Sequence, residues 1–214
     1  MNVMKKIIFA LAFIFIAFAL TACSFGGDGG ARTAPYLELL QSGEYSLSAN
    51  GYFAGVHNVV TEDVSNGNFQ ITYRNDNDTV FHYLYSDGHM YCLAWDLGYY
   101  AEISEDYQPP EEVFANMIDY DYSTAVYSGS GKQSITGITY PYDTYQLKTY
   151  DGRETTLNIY IDDSGDLFAL AFPDDAIQIT LNYLTAELPE DACFTIPEDM
   201  EEIEFYQIET MLGM

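Results

Sequence analysis

Apolar and polar side chains alternate along most of this chain, the period-two pattern of strands with one buried face. Residues 45–49 (Tyr-Ser-Leu-Ser-Ala) alternate, as do residues 68–73 (Asn-Phe-Gln-Ile-Thr-Tyr). Runs rich in β-branched and aromatic residues predict further strands over 79–85, 89–95 and 99–103, and later over 144–149, 155–161, 167–172 and 176–184. Turn formers separate them: Asn66-Gly67, Asn75-Asp76-Asn77-Asp78, Asp87-Gly88, Leu97-Gly98, Asp151-Gly152 and Asp163-Ser164-Gly165-Asp166. Asp87-Gly88, set between Phe81-His82-Tyr83-Leu84-Tyr85 and Met90-Tyr91-Cys92-Leu93, is the strongest hairpin signal.

Two segments break the alternation. Residues 35–41 read as a short helix stopped near Gly43, and 110–118 as a second helix opened by Pro109-Pro110 and early acids. Val113, Phe114, Met117 and Ile118 fall on one face of that second helix, which predicts that it packs on the sheet. Residues 198–212 fit a strand or a helix. The expected class is therefore α+β, mainly β: a meandering antiparallel sheet with one or two helices against it, in two halves that part near Asp119.

The first residues follow another logic. Lys5 and Lys6 precede an unbroken apolar run over 7–20, followed by Leu20-Thr21-Ala22-Cys23. This is the order of a secretory signal, and the run of about 14 residues is shorter than the roughly 20 a helix needs to span a bilayer. The tetrapeptide resembles the lipobox of bacterial lipoproteins, which implies cleavage before Cys23 and lipid attachment to it. The expected organisation is a removed signal peptide (1–22), a lipidated cysteine on a Gly-rich tether (23–35) and one β-rich domain (36–214). The expected location is the extracytoplasmic face of the cell membrane. Two acyl chains suffice for stable anchoring where one is marginal.

Charge narrows the partners. The chain has 33 acidic and seven basic residues, a formal charge of −26. Lys5 and Lys6 are the only charges in 1–22, so five basic residues remain from Cys23 onward, against all 33 acids. No basic stripe remains for nucleic acid, and an anionic bilayer repels such a domain, leaving the lipid as its membrane attachment. The acid is read as a solvated surface that keeps the domain soluble. The 20 Tyr and 13 Phe, spread along the chain, exclude disorder. Cys92 and Cys193 fit a disulfide or two buried free thiols equally.

No motif points to catalysis. Gly129-Ser130-Gly131-Lys132 lacks the leading glycine and the trailing Ser or Thr of a phosphate loop, since Val126 and Gln133 stand there, and reads as a turn between strands. His57, His82 and His89 are too scattered for a zinc signature, although His82 and His89 flank one hairpin. The Asp-rich segments at 75–78 and 162–166 lack the EF-hand spacing and read as turns. No Gly-x-Ser-x-Gly elbow is present, and no enzyme, cofactor or metal site is expected.

Together the lipobox, the hairpin over 83–91, the helix at Pro110, the run Tyr127 to Gly137 and the pattern Asn158 to Leu167 resemble small Gram-positive lipoproteins with a LolA/LppX-type lipoprotein-carrier fold. The resemblance implies a strongly curved antiparallel sheet, a half-open barrel whose apolar concave face holds lipid or another hydrophobic ligand. Tyr83, Tyr85, Tyr91 and Trp95 on the strands, with Phe114, Met117 and Ile118 on the helix, are the candidate groove lining. Tyrosine is also simply a good strand former. The expected function is non-enzymatic binding of a hydrophobic or lipid ligand. The alternative is a structural lipoprotein that binds another envelope protein and has no small-molecule ligand.

Cys23→Ala is expected to shift the protein from the membrane to the soluble fraction on cell fractionation. Retention of the variant on membranes at low and high salt alike would exclude anchoring through Cys23.

Overall fold

The computed structural model describes residues 30–53, 56–75, 80–104 and 120–212. The signal segment, Cys23, Asn77 and Asp78, and the helix expected at 110–118 with Phe114, Met117, Ile118 and the boundary at Asp119 lie outside the described residues.

Twelve strands form one sheet: β1 (Tyr45–Phe53), β2 (Val56–Ser65), β3 (Asn68–Asn75), β4 (Val80–Ser86), β5 (His89–Ala94), β6 (Tyr99–Ile103), β7 (Tyr120–Ile135), β8 (Ile138–Thr149), β9 (Glu154–Ile161), β10 (Leu167–Phe172), β11 (Ile177–Thr185) and β12 (Glu201–Glu202). Their order is β12-β6-β5-β4-β3-β2-β1-β11-β10-β9-β8-β7. Neighbours are antiparallel except β12, which runs parallel to β6. Two meanders, β1–β6 and β7–β11, therefore meet where β1 pairs with β11. The fold is mainly β, largely antiparallel, with two short helices: α1 (Ala34–Ser42) and α2 (Phe205–Leu212).

Turn chemistry sets the registers. Asn66-Gly67 and Asp87-Gly88 both carry positive φ at two successive residues, as tight hairpins require, and Thr136-Gly137 does the same without an Asn or Asp. Gly129-Ser130-Gly131-Lys132 corrects the expectation of a turn, because it lies inside β7, where the pairing with β8 slips between Tyr127 and Gly129. Gly131 is small for a packing reason: a Cβ there would stand 2.5 Å from Cζ of Tyr142. The alternation did not reveal β2, β7 or the first half of β8 as strands.

Both helices pack on one face, the inner face. Thr33 fixes the entry to α1 from its backbone N–H, which donates to Oδ2 of buried Asp143 at 2.9 Å, and its hydroxyl lies 2.9 Å from that of Tyr145. Gly43, in the left-handed region at φ 66°, ends the helix, and Leu37 and Leu40 turn into the core. Leu157, Ile159, Leu170 and Phe172 form the fully buried floor of this half. In the other half α2 sets Ile208, wholly buried, among Ile71, Tyr83, Cys92, Ala94, Ala101 and Ile103. On the opposite, outer face the chain between β11 and β12 crosses the sheet, and Cys193 N–H donates to Oε1 of Gln70 at 3.1 Å. Residues 198–212, open between strand and helix, are β12 followed by α2.

Ile208→Ala is expected to lower unfolding stability by about 2–4 kcal/mol, because α2 has no other fully buried anchor. Urea denaturation checks this; a loss under about 1 kcal/mol would show that the helix does not seat on the sheet.

Candidate ligand-binding cavity

Strand parity decides which expected site residues share a face. Tyr85 opposes Phe69 and Met90, and Tyr83 opposes Ile71 and Cys92, so all six point to the inner face. Tyr91 opposes Leu84 and therefore points outward, where its ring approaches Tyr100. Trp95 falls just beyond β5, 40% exposed, with its ring 5.2 Å from the outward His82. Tyr83 and Tyr85 are thus separated by the sheet from Tyr91 and Trp95. Hydrophobic composition cannot show this, but the even spacing of six from Tyr85 through a two-residue turn to Tyr91 can, since residues paired across such a turn are an odd number apart.

A cavity of about 450 Å³ opens on the inner face. Its lining comes from Leu40 and Gly43 at the end of α1, Tyr45 of β1, Val64 of β2, Gly67 in the next turn, Phe69 of β3, Tyr85 of β4, Tyr120 and Tyr122 of β7, and Tyr150 in the β8–β9 turn. The volume is in the usual range for a small-molecule site, and five tyrosines with one phenylalanine give it an aromatic wall. Phe69 stacks on Tyr85 with centroids 5.1 Å apart, and Tyr120 stacks on Phe172 at 3.8 Å. Tyr120 is also held from its hydroxyl, which donates to Asp175 at 2.9 Å, while Asp175 pairs with Arg153 at 2.7 Å. These contacts fix the rings before any ligand arrives.

Behind Tyr45 lies the least expected group in the molecule. Glu62, 2% exposed, takes the inward position between Val60 and Val64 on β2, where the alternation calls for an apolar residue. The Tyr45 hydroxyl donates to its Oε1 at 2.7 Å. Burial raises the Glu62 carboxyl to about 7, against the lowering effect of that hydrogen bond, and the adjacent Asp63 charge adds to the rise. Burial and the Glu62 charge together push the Tyr45 and Tyr122 phenols well up, so both stay protonated. Asp63 turns to the outer face, where Ser46 donates to it at 2.6 Å and Gln70 at 3.0 Å. The strand Val60-Thr61-Glu62-Asp63-Val64 carried the signal, an acid at an apolar position, but only once β2 is known to be a strand.

Other candidate chemistry disperses. His82 pairs with Leu93 across the hairpin rather than with His89, and contacts Thr72, while His89 bonds Glu102 at 2.7 Å. Burial lowers His82 to about 4. No group of three or more His, Cys, Asp or Glu is placed to hold a metal among the described residues. Cys92 and Cys193 are free thiols, the first buried under α2 and the second half-buried beside Gln70. Asp162 acts as a turn cap, its Oδ1 accepting from the N–H groups of Ser164 and Asp166.

No protein-family model matches the chain, and no curated protein matches it significantly. Among solved structures it is similar to a chain in the complex structure of Pseudomonas aeruginosa MucA/MucB, with 10% identity and a TM-score of 0.37. That match covers 81% of this chain and 64% of the other, so the chain spans less than two thirds of its length. A likeness at that score carries no argument about the ligand of this chain.

Glu62 holds a proton in the folded chain over a window, from the ordinary carboxylate range up to about pH 7, in which the unfolded chain has released it. Its contribution to stability therefore falls as pH rises through that window, by up to about 3 kcal/mol. Denaturant unfolding at pH 5 and pH 8 is expected to show this fall in the wild type beyond that in Glu62→Gln. Equal pH dependence in the two proteins would show that Glu62 ionises freely.

Proposed function

We propose that this chain is a lipoprotein tethered through Cys23 to the outer face of the cell membrane, which binds a hydrophobic ligand, lipid included, without enzymatic chemistry. The observation that carries this reading is the aromatic cavity on the inner face. Tyr85 of β4 and Tyr120 of β7 line it together, although the strand order sets eight inter-strand steps between them. In a flat sheet that is about 38 Å. Sharing one cavity supports a sheet that bends round its inner face, as the half-open barrel of a lipoprotein-carrier-like fold would.

The physical logic of the site agrees with carriage rather than catalysis. Apart from Tyr150, the tyrosines of the wall are buried or half-buried, which suits an apolar guest. A membrane tether and a surface of strong negative charge would keep such a domain near lipid without laying it on anionic headgroups.

A second reading rests on β7. This strand is one edge of the sheet among the described residues, and Val126 and Tyr127 on it are 66% and 42% exposed. An exposed apolar edge suits contact with another envelope protein.

Titration of the full-length chain with the neutral apolar fluorophore N-phenyl-1-naphthylamine is expected to give saturable binding near one probe per chain. Val64→Trp, which fills the cavity from β2, should abolish that binding and leave thermal stability close to wild type. Undiminished binding by the variant, or none by the wild type, would remove the cavity as the site and leave the edge-strand reading.

A further inference from the structure

The inner-face cavity has a polar end that a purely hydrophobic ligand would not use. Tyr45, Tyr120 and Tyr122 converge there, and the Tyr45 hydroxyl is already committed as donor to buried Glu62. A phenol that donates to a carboxylate becomes a richer electron source, and ring faces attract cations most strongly where water is excluded. Glu62 has no Lys or Arg partner among the described residues: the ion pairs there are His89–Glu102 and Arg153–Asp175, and neither includes it. Arg153, the cation on the Tyr120 side, is already paired with Asp175 at 2.7 Å.

A buried carboxylate without a cation costs stability, and a valine or isoleucine at 62 would continue the pattern set by Val60 and Val64. Retaining an acid there makes sense when a positive group arrives from outside. The acidic surface of the whole chain would also draw cations toward the opening.

From this we infer that the cavity is a site for a cationic amphiphile, an alkyl chain or similar apolar body carrying an ammonium head. The head lies among Tyr45, Tyr120 and Tyr122 in front of Glu62, and the apolar part runs along Leu40, Phe69 and Tyr85. The inference rests on the hydrophobic-ligand reading of the same cavity and adds the charge of the head group.

Isothermal titration of the full-length chain at pH 8 tests it with two probes of one tail length, dodecyltrimethylammonium and dodecyl sulfate, each below its micelle concentration. The cationic probe is expected to bind at least about tenfold more tightly than the anionic one. Glu62→Gln should weaken the cationic probe about tenfold and spare N-phenyl-1-naphthylamine binding, which reports an intact cavity. Val64→Trp should abolish cationic binding, and persistence in that variant would assign it to the acidic surface and overturn the inference. Equal or tighter binding of dodecyl sulfate to the wild type would overturn it too, while bound naphthylamine would keep the hydrophobic-ligand reading intact. The wild-type ranking of the two heads stands even where Glu62→Gln does not fold. Failure of all three probes to bind the wild type would instead remove the cavity reading itself.

Discussion

The pairing of β1 with β11 is the contact on which the other features depend. It joins Ser46 to Thr185 and Leu47 to Leu184, residues from opposite ends of the domain, and among the described residues it is the only ladder linking the two meanders. Every other antiparallel pair in the sheet is between neighbours in sequence and can close over a short turn. The entropy of closing so long a loop is repaid only when the whole inner face is buried at once. α1, seated through Thr33 on Asp143 and Tyr145 of β8, and touching the cavity at Leu40, braces the same junction from above.

That junction also explains why a single strand can serve two environments. On β2, Glu62 and Asp63 are successive acids that leave the backbone in opposite directions. Glu62 meets a tyrosine wall, and the adjacent Asp63 charge raises its proton affinity further. Asp63 meets a serine and a glutamine, whose hydrogen bonds oppose the effect of burial. One acid is held against a cavity and the other is a satisfied part of the outer face, beneath the crossing segment that reaches Gln70. Both side chains are almost closed to solvent, and their partners differ.

The architecture was legible wherever a local rule applies. Asn-Gly and Asp-Gly set hairpins, Pro35 and Gly43 bounded α1, and alternation marked most strands. What local rules cannot encode is the face on which a residue lands relative to distant strands. Tyr83, Tyr85, Tyr91 and Trp95 are all aromatic and close in sequence, yet the register sends the two pairs to opposite sides. Tyr45, Tyr120, Tyr122 and Tyr150 come together only because the first and last meanders share a sheet. The run at 129–132 misled for the converse reason: glycine and serine suggest a turn, but here they make room for the Tyr142 ring and absorb a slip in register.

The two free thiols carry a consequence for how the molecule opens. Cys92 lies wholly enclosed beneath Ile208, and burial pushes its thiol up to about 12, so in the closed fold it is neither reachable nor nucleophilic. Cys193, half-buried on the other side of the sheet, has no such cover. The chain thus contains its own pair of clocks. Alkylation of Cys193 keeps time with ordinary surface encounter, while alkylation of Cys92 waits for α2 to lift away, so their ratio reads the frequency of that excursion without any added label.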